Sequence, residues 1–142
     1  MILDAKHEDL QSLAYLMGEL GYPTTTDEMN HRMMKINASD DYRTLVYEQD
    51  GKVVGMTGLI RGFHYENNNN YIRIVALVVD SGERRSGIGK ALLDAAEQWA
   101  KEQKASKLVL NSGNRDDRED AHHFYTSQGY EAKATGFYKK LN

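Results

Sequence analysis

A glycine-rich turn between an apolar run and an amphipathic stretch is the part of this sequence best suited to chemistry. The segment is VVDSGERRSGIGKALL, with Gly87 and Gly89 at the start of a predicted helix. The first amides of a helix lack intrahelical partners and the helix dipole is positive there, so glycines let a phosphate approach bare N–H groups. Arg84, Arg85 and Lys90 add positive charge. The turn therefore predicts an anion-binding site.

Two well-known phosphate-binding loops do not fit this turn. Gly82 and Gly87 have Walker A spacing, but Ile88 and Gly89 stand where that motif requires Lys and Ser or Thr. A dinucleotide fingerprint starting at Gly87 would need glycine or alanine at position 92, where this chain has Leu92. An ATPase loop and a dinucleotide-binding loop are both excluded.

The elements that precede the turn are two predicted helices and a predicted hairpin. Residues 10–20 place apolar side chains at helical spacing before Gly21, and a second helix is predicted to begin with Thr26 as its cap. Residues 42–64 hold two β-rich runs around Asp50-Gly51, which is a strong hairpin signal. An antiparallel pair is expected there.

The turn itself follows a predicted central strand. Residues 74–79 are continuously apolar, which is typical of a strand covered on both faces, so helices must flank the sheet. The elements predicted after the turn are a helix to about residue 103, a strand at 107–111, a helix at 116–128 closed by Gly129, and a strand at 133–140. This order specifies a mixed α/β (α+β) sheet.

Composition limits the class of protein. With 142 residues, 40% hydrophobic and 27% charged, the chain is expected to form one soluble globular domain over residues 1–142. Cysteine is absent, which excludes disulfides and thiolate chemistry. The net charge of −3 and scattered basic residues argue against nucleic acid. Acidic residues near the amino terminus and the lack of a spanning run predict no membrane and a cytoplasmic location.

Two motifs together resemble the GNAT superfamily of acyl-CoA-dependent N-acetyltransferases. The first is R-x-x-G-x-G at residues 84–89, directly after the central strand. The second is A-x-x-F-Y-x-x-x-G-[FY], formed by Ala121, Phe124, Tyr125, Gly129 and Tyr130. The resemblance implies a mixed, mostly antiparallel central sheet flanked by helices, with a splayed strand pair that receives the acyl-CoA.

The resemblance implies that acetyl-CoA is the cosubstrate and that its pyrophosphate lies on the glycine turn. The pantetheine arm would pair with the edge of the central strand at Leu77, Val78 and Val79, as a β-augmentation. Arg118 stands where several relatives have an asparagine that contacts the cofactor. The turn residues that the resemblance assigns to the cofactor are Arg84, Arg85, Ser86, Gly87, Ile88, Gly89 and Lys90.

Tyr125 matches the family's usual general acid, which protonates the departing thiolate. The family's usual general base has no counterpart here. Many relatives place an acidic residue in the central strand, and the corresponding stretch in this chain is Ile74-Val75-Ala76, which contains no carboxylate. Candidates elsewhere are Glu48, His64 and Glu66, and none is singled out. Adjacent His122 and His123 project to different helix faces, so no metal site is predicted.

The leading hypothesis is an N-acetyltransferase that acts on a primary amine of a small molecule or peptide. The family commonly shapes the acceptor pocket from segments that correspond to residues 22–36 and 64–70, and it also allows a homodimer. A non-catalytic acyl-CoA-binding or sensing module is an alternative, motivated by the missing strand carboxylate. A protein-interaction domain with a purely structural glycine turn is a third. The acceptor and the acyl chain are not specified by any motif.

Overall fold

The computed structural model describes residues 1–84, 86–112 and 119–142. They form two compact units, Met1–Val109 and Leu110–Asn142. The single domain expected over the whole chain stays a prediction. None of the helices in the described ranges is both long and apolar enough to cross a bilayer.

A five-stranded, mostly antiparallel sheet with helices on both faces forms the first unit. The elements are β1 (Ile2–Asp4), α1 (Leu10–Leu20), α2 (Thr26–Asn37), β2 (Tyr42–Gln49), β3 (Lys52–Phe63), β4 (Asn70–Val79), α3 (Ile88–Glu102) and β5 (Ala105–Leu110). The strand order is β1-β2-β3-β4-β5, and each of the first three strands pairs antiparallel with the strand that follows it. This confirms the predicted mostly antiparallel sheet flanked by helices.

Local sequence signals account for most element ends. Asp50 and Gly51 have φ of +53° and +76°, the left-handed pair that a tight hairpin turn needs, and so the predicted hairpin is confirmed. Gly21 ends α1 with φ +107°. The cap of α2 is one residue earlier than predicted, because Thr25 rather than Thr26 accepts the Glu28 N–H at 3.1 Å.

The sheet is covered on both faces. Leu13 and Leu16 of α1 and two methionines of α2, Met29 and Met33, pack on one face against a cluster that includes Val78. Ile88 and Leu92 of α3 pack on the other face, against Val54, Leu77 and Val79. The helices therefore hold β4 from both sides near its carboxyl end, where the glycine turn begins.

A β-bulge interrupts β4 at Val75. Gly58 pairs with Ala76 and the next residue, Leu59, pairs with Ile74, so Val75 has no opposing residue on β3. The vacant Cβ position of Gly58 lies 3.5 Å from Cγ2 of Val75 and 3.7 Å from Cβ of Ala76, so both side chains project to one face. Val75 is 51% exposed, and the expected burial of the whole run 74–79 is wrong at this residue.

The second unit contains the helix α4 (Glu119–Ser127). Gly129 follows it with φ +91°, as predicted, and the Tyr130 N–H donates to the Tyr125 carbonyl at 3.1 Å. Residues 116–118 of the predicted helix lie outside the described residues. The predicted strand at 133–140 is wrong, since these residues form no strand and are exposed. Three lysines and Gly136 leave this segment without a continuous apolar face.

Candidate active site

The glycine turn connects β4 to α3 through a tight backbone path. The Asp80 N–H donates to the Val54 carbonyl at 2.8 Å, which fixes the start of the turn on β3. Gly87 adopts φ +87° immediately before α3, a conformation that favours glycine. The first intrahelical bond runs from the Ala91 N–H to the Gly87 carbonyl at 3.0 Å. The N–H groups of residues 88–90 therefore precede the helical ladder.

Two side chains from α1 and β2 hold the first half of this turn. One carboxylate oxygen of Glu19 accepts from the Ser81 N–H at 3.0 Å and from its hydroxyl at 2.8 Å. These donors lower the pKa of Glu19 to about 2. Tyr15 also donates to Glu19, at 3.2 Å, and Gln49 donates to Glu83 at 3.2 Å. No sequence motif identified Glu19, because its partner is 62 residues away.

Basic groups stand around the second half of the turn. Arg84 is exposed, and its Nε donates to the Val79 carbonyl at 3.4 Å. Lys90 pairs with Asp94 one helical turn later, at 2.9 Å, so part of its charge is neutralised. The Ser86 hydroxyl donates to the Glu83 carbonyl. Arg85 lies outside the described residues.

The first turn of α3 lies unusually close to β3. The vacant Cβ position of Gly55 is 3.1 Å from Ile88 Cγ2, 3.1 Å from Leu92 Cδ1 and 3.3 Å from the Val78 carbonyl oxygen. Ile88 is 2% exposed, so its side chain belongs to the core and only its backbone can face a ligand. Gly89 is half-buried. Close packing under the helix start fixes where its amides point.

The predicted pantetheine edge lies between the bulge and the glycine turn. Val78 is buried, and Leu77 and Val79 are half-buried beneath α3. β5 meets β4 at the opposite end, where the Ser106 hydroxyl donates to the Asn70 carbonyl at 3.3 Å. The sequence did not reveal the bulge, because an extra residue in a wholly apolar run leaves no break in the pattern.

Tyr125 lies in α4 and is half-buried. Its ring centroid is 5.5 Å from that of Phe124 and 6.0 Å from that of Tyr130. The second motif thus forms an aromatic cluster around the tyrosine. Arg118, the other cofactor candidate of this segment, lies outside the described residues.

Of the three base candidates, the structure brings two together. His64 Nδ1 lies 3.4 Å from Glu66 Oε1, and the His64 side chain is only 7% exposed. Its ring is 5.0 Å from that of Tyr71 on β4. Glu48 stands apart near the chain start, where its carbonyl accepts from the terminal amine of Met1 at 3.0 Å. The pKa of Glu66 is lowered, first by its own backbone N–H and then by His64 and Lys107.

Comparison with known proteins identifies the family. Residues 8–130 match the model of the acetyltransferase (GNAT) family. An aminoalkylphosphonate N-acetyltransferase from Salmonella typhimurium is 33% identical over 126 residues, which are 89% of this chain and 78% of that protein. The crystal structure of a GNAT family acetyltransferase from Staphylococcus aureus is 33% identical, with a TM-score of 0.86 over 99% of this chain and 98% of that one.

A more distant structure shares the fold. Glucosamine-6-phosphate N-acetyltransferase from Arabidopsis thaliana is 22% identical, with a TM-score of 0.84 over 100% of this chain and 98% of that one. The family match covers β2 to β5, the glycine turn and α4. The chain therefore belongs to the GNAT family of acetyltransferases and is an acyltransferase enzyme.

Proposed function

We propose that this enzyme transfers the acetyl group of acetyl-CoA directly to a primary amine of a small molecule or peptide. The main observation behind the proposal is the left-handed backbone conformation of Gly87 at the start of α3, directly downstream of a bulged strand. Acetyl-CoA supplies an activated acyl thioester. This chain would supply a phosphate-binding helix start, a strand edge and a proton donor.

The backbone amides of residues 88–90 fit the pyrophosphate. They precede the first intrahelical bond, which begins at Ala91, so their hydrogens remain available to an anion. Arg84, Arg85 and Lys90 add charge next to them. Glu19 carries a negative charge that would repel the phosphates, so its bonds to Ser81 support a role in holding the turn.

The edge of β4 fits the amide-containing arm of the cosubstrate. Beyond the bulge, Leu77, Val78 and Val79 continue as a regular strand, and an extended ligand can pair with such an edge. A bulge also turns backbone groups away from the neighbouring strand. A backbone N–H freed in this way at Val75 would stabilise the negative charge that develops on the acetyl oxygen.

Tyr125 is proposed to protonate the departing sulfur. A phenol with a pKa of ~10 is a weak acid toward a thiolate of ~8.5, so close placement must offset the adverse driving force. The aromatic cluster with Phe124 and Tyr130 restrains the ring, which supports such placement. The name of the Salmonella relative supports a small primary amine as acceptor. We also propose a cytoplasmic location, where acetyl-CoA would be available to the enzyme.

A transfer assay tests this function. The enzyme is incubated with acetyl-CoA and a panel of primary amines that includes aminoalkylphosphonates, and free thiol and acetylated amine are measured together. We expect equal amounts of both products with at least one amine. Acetyl-CoA binding without transfer to any amine would instead favour the non-catalytic acyl-CoA-binding module.

A further inference from the structure

The loop after β3 contains a histidine whose side chain is buried and whose two ring nitrogens have different surroundings. The His64 side chain is 7% exposed, and Nδ1 lies 3.4 Å from the Glu66 carboxylate. Nε2 is buried and has no hydrogen-bond partner among the described residues. A neutral imidazole that donates from Nδ1 carries its lone pair on Nε2, so this arrangement has the form of a proton acceptor.

His64 packs against Tyr71, which lies on the same sheet face as the bulged residue Val75. Alternate residues of a strand share a face, so Gly58 and Gly62 of β3 project to the same side. The vacant Cβ position of Gly58 contacts Val75, and that of Gly62 contacts the ring of Tyr71. Tyr71 and Val75 therefore share this face, and the His64 ring packs against Tyr71 at 5.0 Å.

Resting on the proposed function, we infer that His64 Nε2 accepts the proton that the acceptor amine must lose, and that Glu66 is a positioning residue that orients the imidazole. Val75 lies four positions after Tyr71 along β4, a distance of about 13 Å. The proton therefore passes from the amine to His64 along a chain of several bound waters. This assignment supplies the base that β4 lacks at residues 74–76.

The proton balance of the transfer is complete with this assignment. An N–H bond of the ammonium breaks, its electron pair stays on nitrogen and the proton bonds to Nε2. The nitrogen then bonds to the acetyl carbon while the carbon–sulfur bond breaks. Sulfur gains a proton from Tyr125, and the second N–H proton lost by the nitrogen returns to the Tyr125 oxygen. One proton is released overall, and His64 returns it to solvent.

Several charged or titratable groups surround this imidazole. Glu66 lies on the same loop, and Tyr71 faces the ring from β4. Arg73 lies over the Tyr71 ring at 6.0 Å, and Lys107 of β5 interacts with the Glu66 charge. The Glu66 carboxylate stabilises a protonated imidazole. The two cations, Arg73 and Lys107, interact with its neighbours Tyr71 and Glu66. The site can hold the proton during one transfer.

The first test needs neither cosubstrate nor amine. Nitrogen-15 NMR of histidine-labelled protein, assigned with His64→Ala, reports which ring nitrogen carries the proton. We expect the Nδ1–H tautomer in the wild type and a weaker preference for it in Glu66→Gln. A neutral His64 protonated on Nε2 would overturn the inference, because that nitrogen would have no lone pair to offer.

The second test measures kcat/KM against pH with the amine found in the transfer assay. We expect His64→Ala to lower kcat/KM by about 10²–10⁴ and to lose the acidic limb of the pH profile, with recovery in added imidazole. Acetyl-CoA affinity should not change. His7→Ala, which removes an exposed histidine, is the matched control and should keep the wild-type profile.

The outcomes separate this inference from the proposed function. An active His64→Ala enzyme with an unchanged acidic limb would refute the role of His64 and leave the acetyltransferase intact. A wild type that transfers to no amine would refute the proposed function itself. If His64→Ala does not fold, Glu66→Gln carries the test, and a wild-type profile in that variant would contradict the inference.

Discussion

Gly55→Ala tests the close contact that fixes the start of α3. The new methyl carbon would lie 3.1 Å from both Ile88 Cγ2 and Leu92 Cδ1 and 3.3 Å from the Val78 carbonyl oxygen. Overpacking of this kind costs about 1–3 kcal/mol, while replacing glycine within a strand returns about 0.5–1 kcal/mol. We expect a net loss of about 1–2 kcal/mol in unfolding free energy.

Gly58→Ala on the same strand is the matched control. Its methyl carbon would meet Val75 Cγ2 at 3.5 Å and Ala76 Cβ at 3.7 Å, which is ordinary contact, so no stability should be lost. Urea unfolding of both variants gives the two free energies directly. Displacing α3 should also weaken acetyl-CoA binding in Gly55→Ala. If the two variants are equally stable and both keep wild-type cosubstrate affinity, Gly55 does not determine the position of α3.

Three further predictions address the core, the acid and the turn. Leu92→Ala should lower the unfolding free energy by about 2–5 kcal/mol in chemical denaturation, because Leu92 is 0% exposed and its removal leaves a cavity; a smaller loss would show that α3 relaxes into the space. Tyr125→Phe should lower kcat and leave the acetyl-CoA Kd unchanged, and unchanged turnover would remove Tyr125 from the mechanism. The folded-state pKa of Glu19 is lowered from 4.5 to about 2, so its stabilisation is present above pH 4.5 and is lost as pH falls toward 2. The stability difference between wild type and Glu19→Ala should therefore shrink over that range, and a constant difference would contradict the role of the charge.

Local signals predicted the elements whose ends are set by backbone conformation. Gly21, Gly51 and Gly129 all have positive φ, and each was expected to end a helix or form a turn. These positions are predictable because only a few residue types tolerate that conformation. The three-residue strand β1 was missed, since a strand this short carries no periodic pattern.

Long-range features of the site could not be predicted in the same way. The Val75 bulge depends on the register between β3 and β4, and the bonds of Glu19 join α1 to a turn far along the chain. The two motifs predicted the family, the glycine turn and the helix that carries Tyr125. The pairing of His64 with Glu66 required the structure, because the two residues were only separate candidates in the sequence.

Thermal unfolding with and without acetyl-CoA tests whether the cosubstrate binds at the glycine turn. A ligand that binds only the folded state at ~100 times its Kd adds ~2.7 kcal/mol, a rise of about 10 °C in Tm for a chain of this size. We predict this rise for the wild type and for Gly18→Val, a glycine in α1 with open space around it. Gly89→Val should fold but lose the rise, because its side chain would meet the pyrophosphate. No rise in the wild type at millimolar acetyl-CoA, or an undiminished rise in Gly89→Val, would contradict binding of acetyl-CoA at the glycine turn.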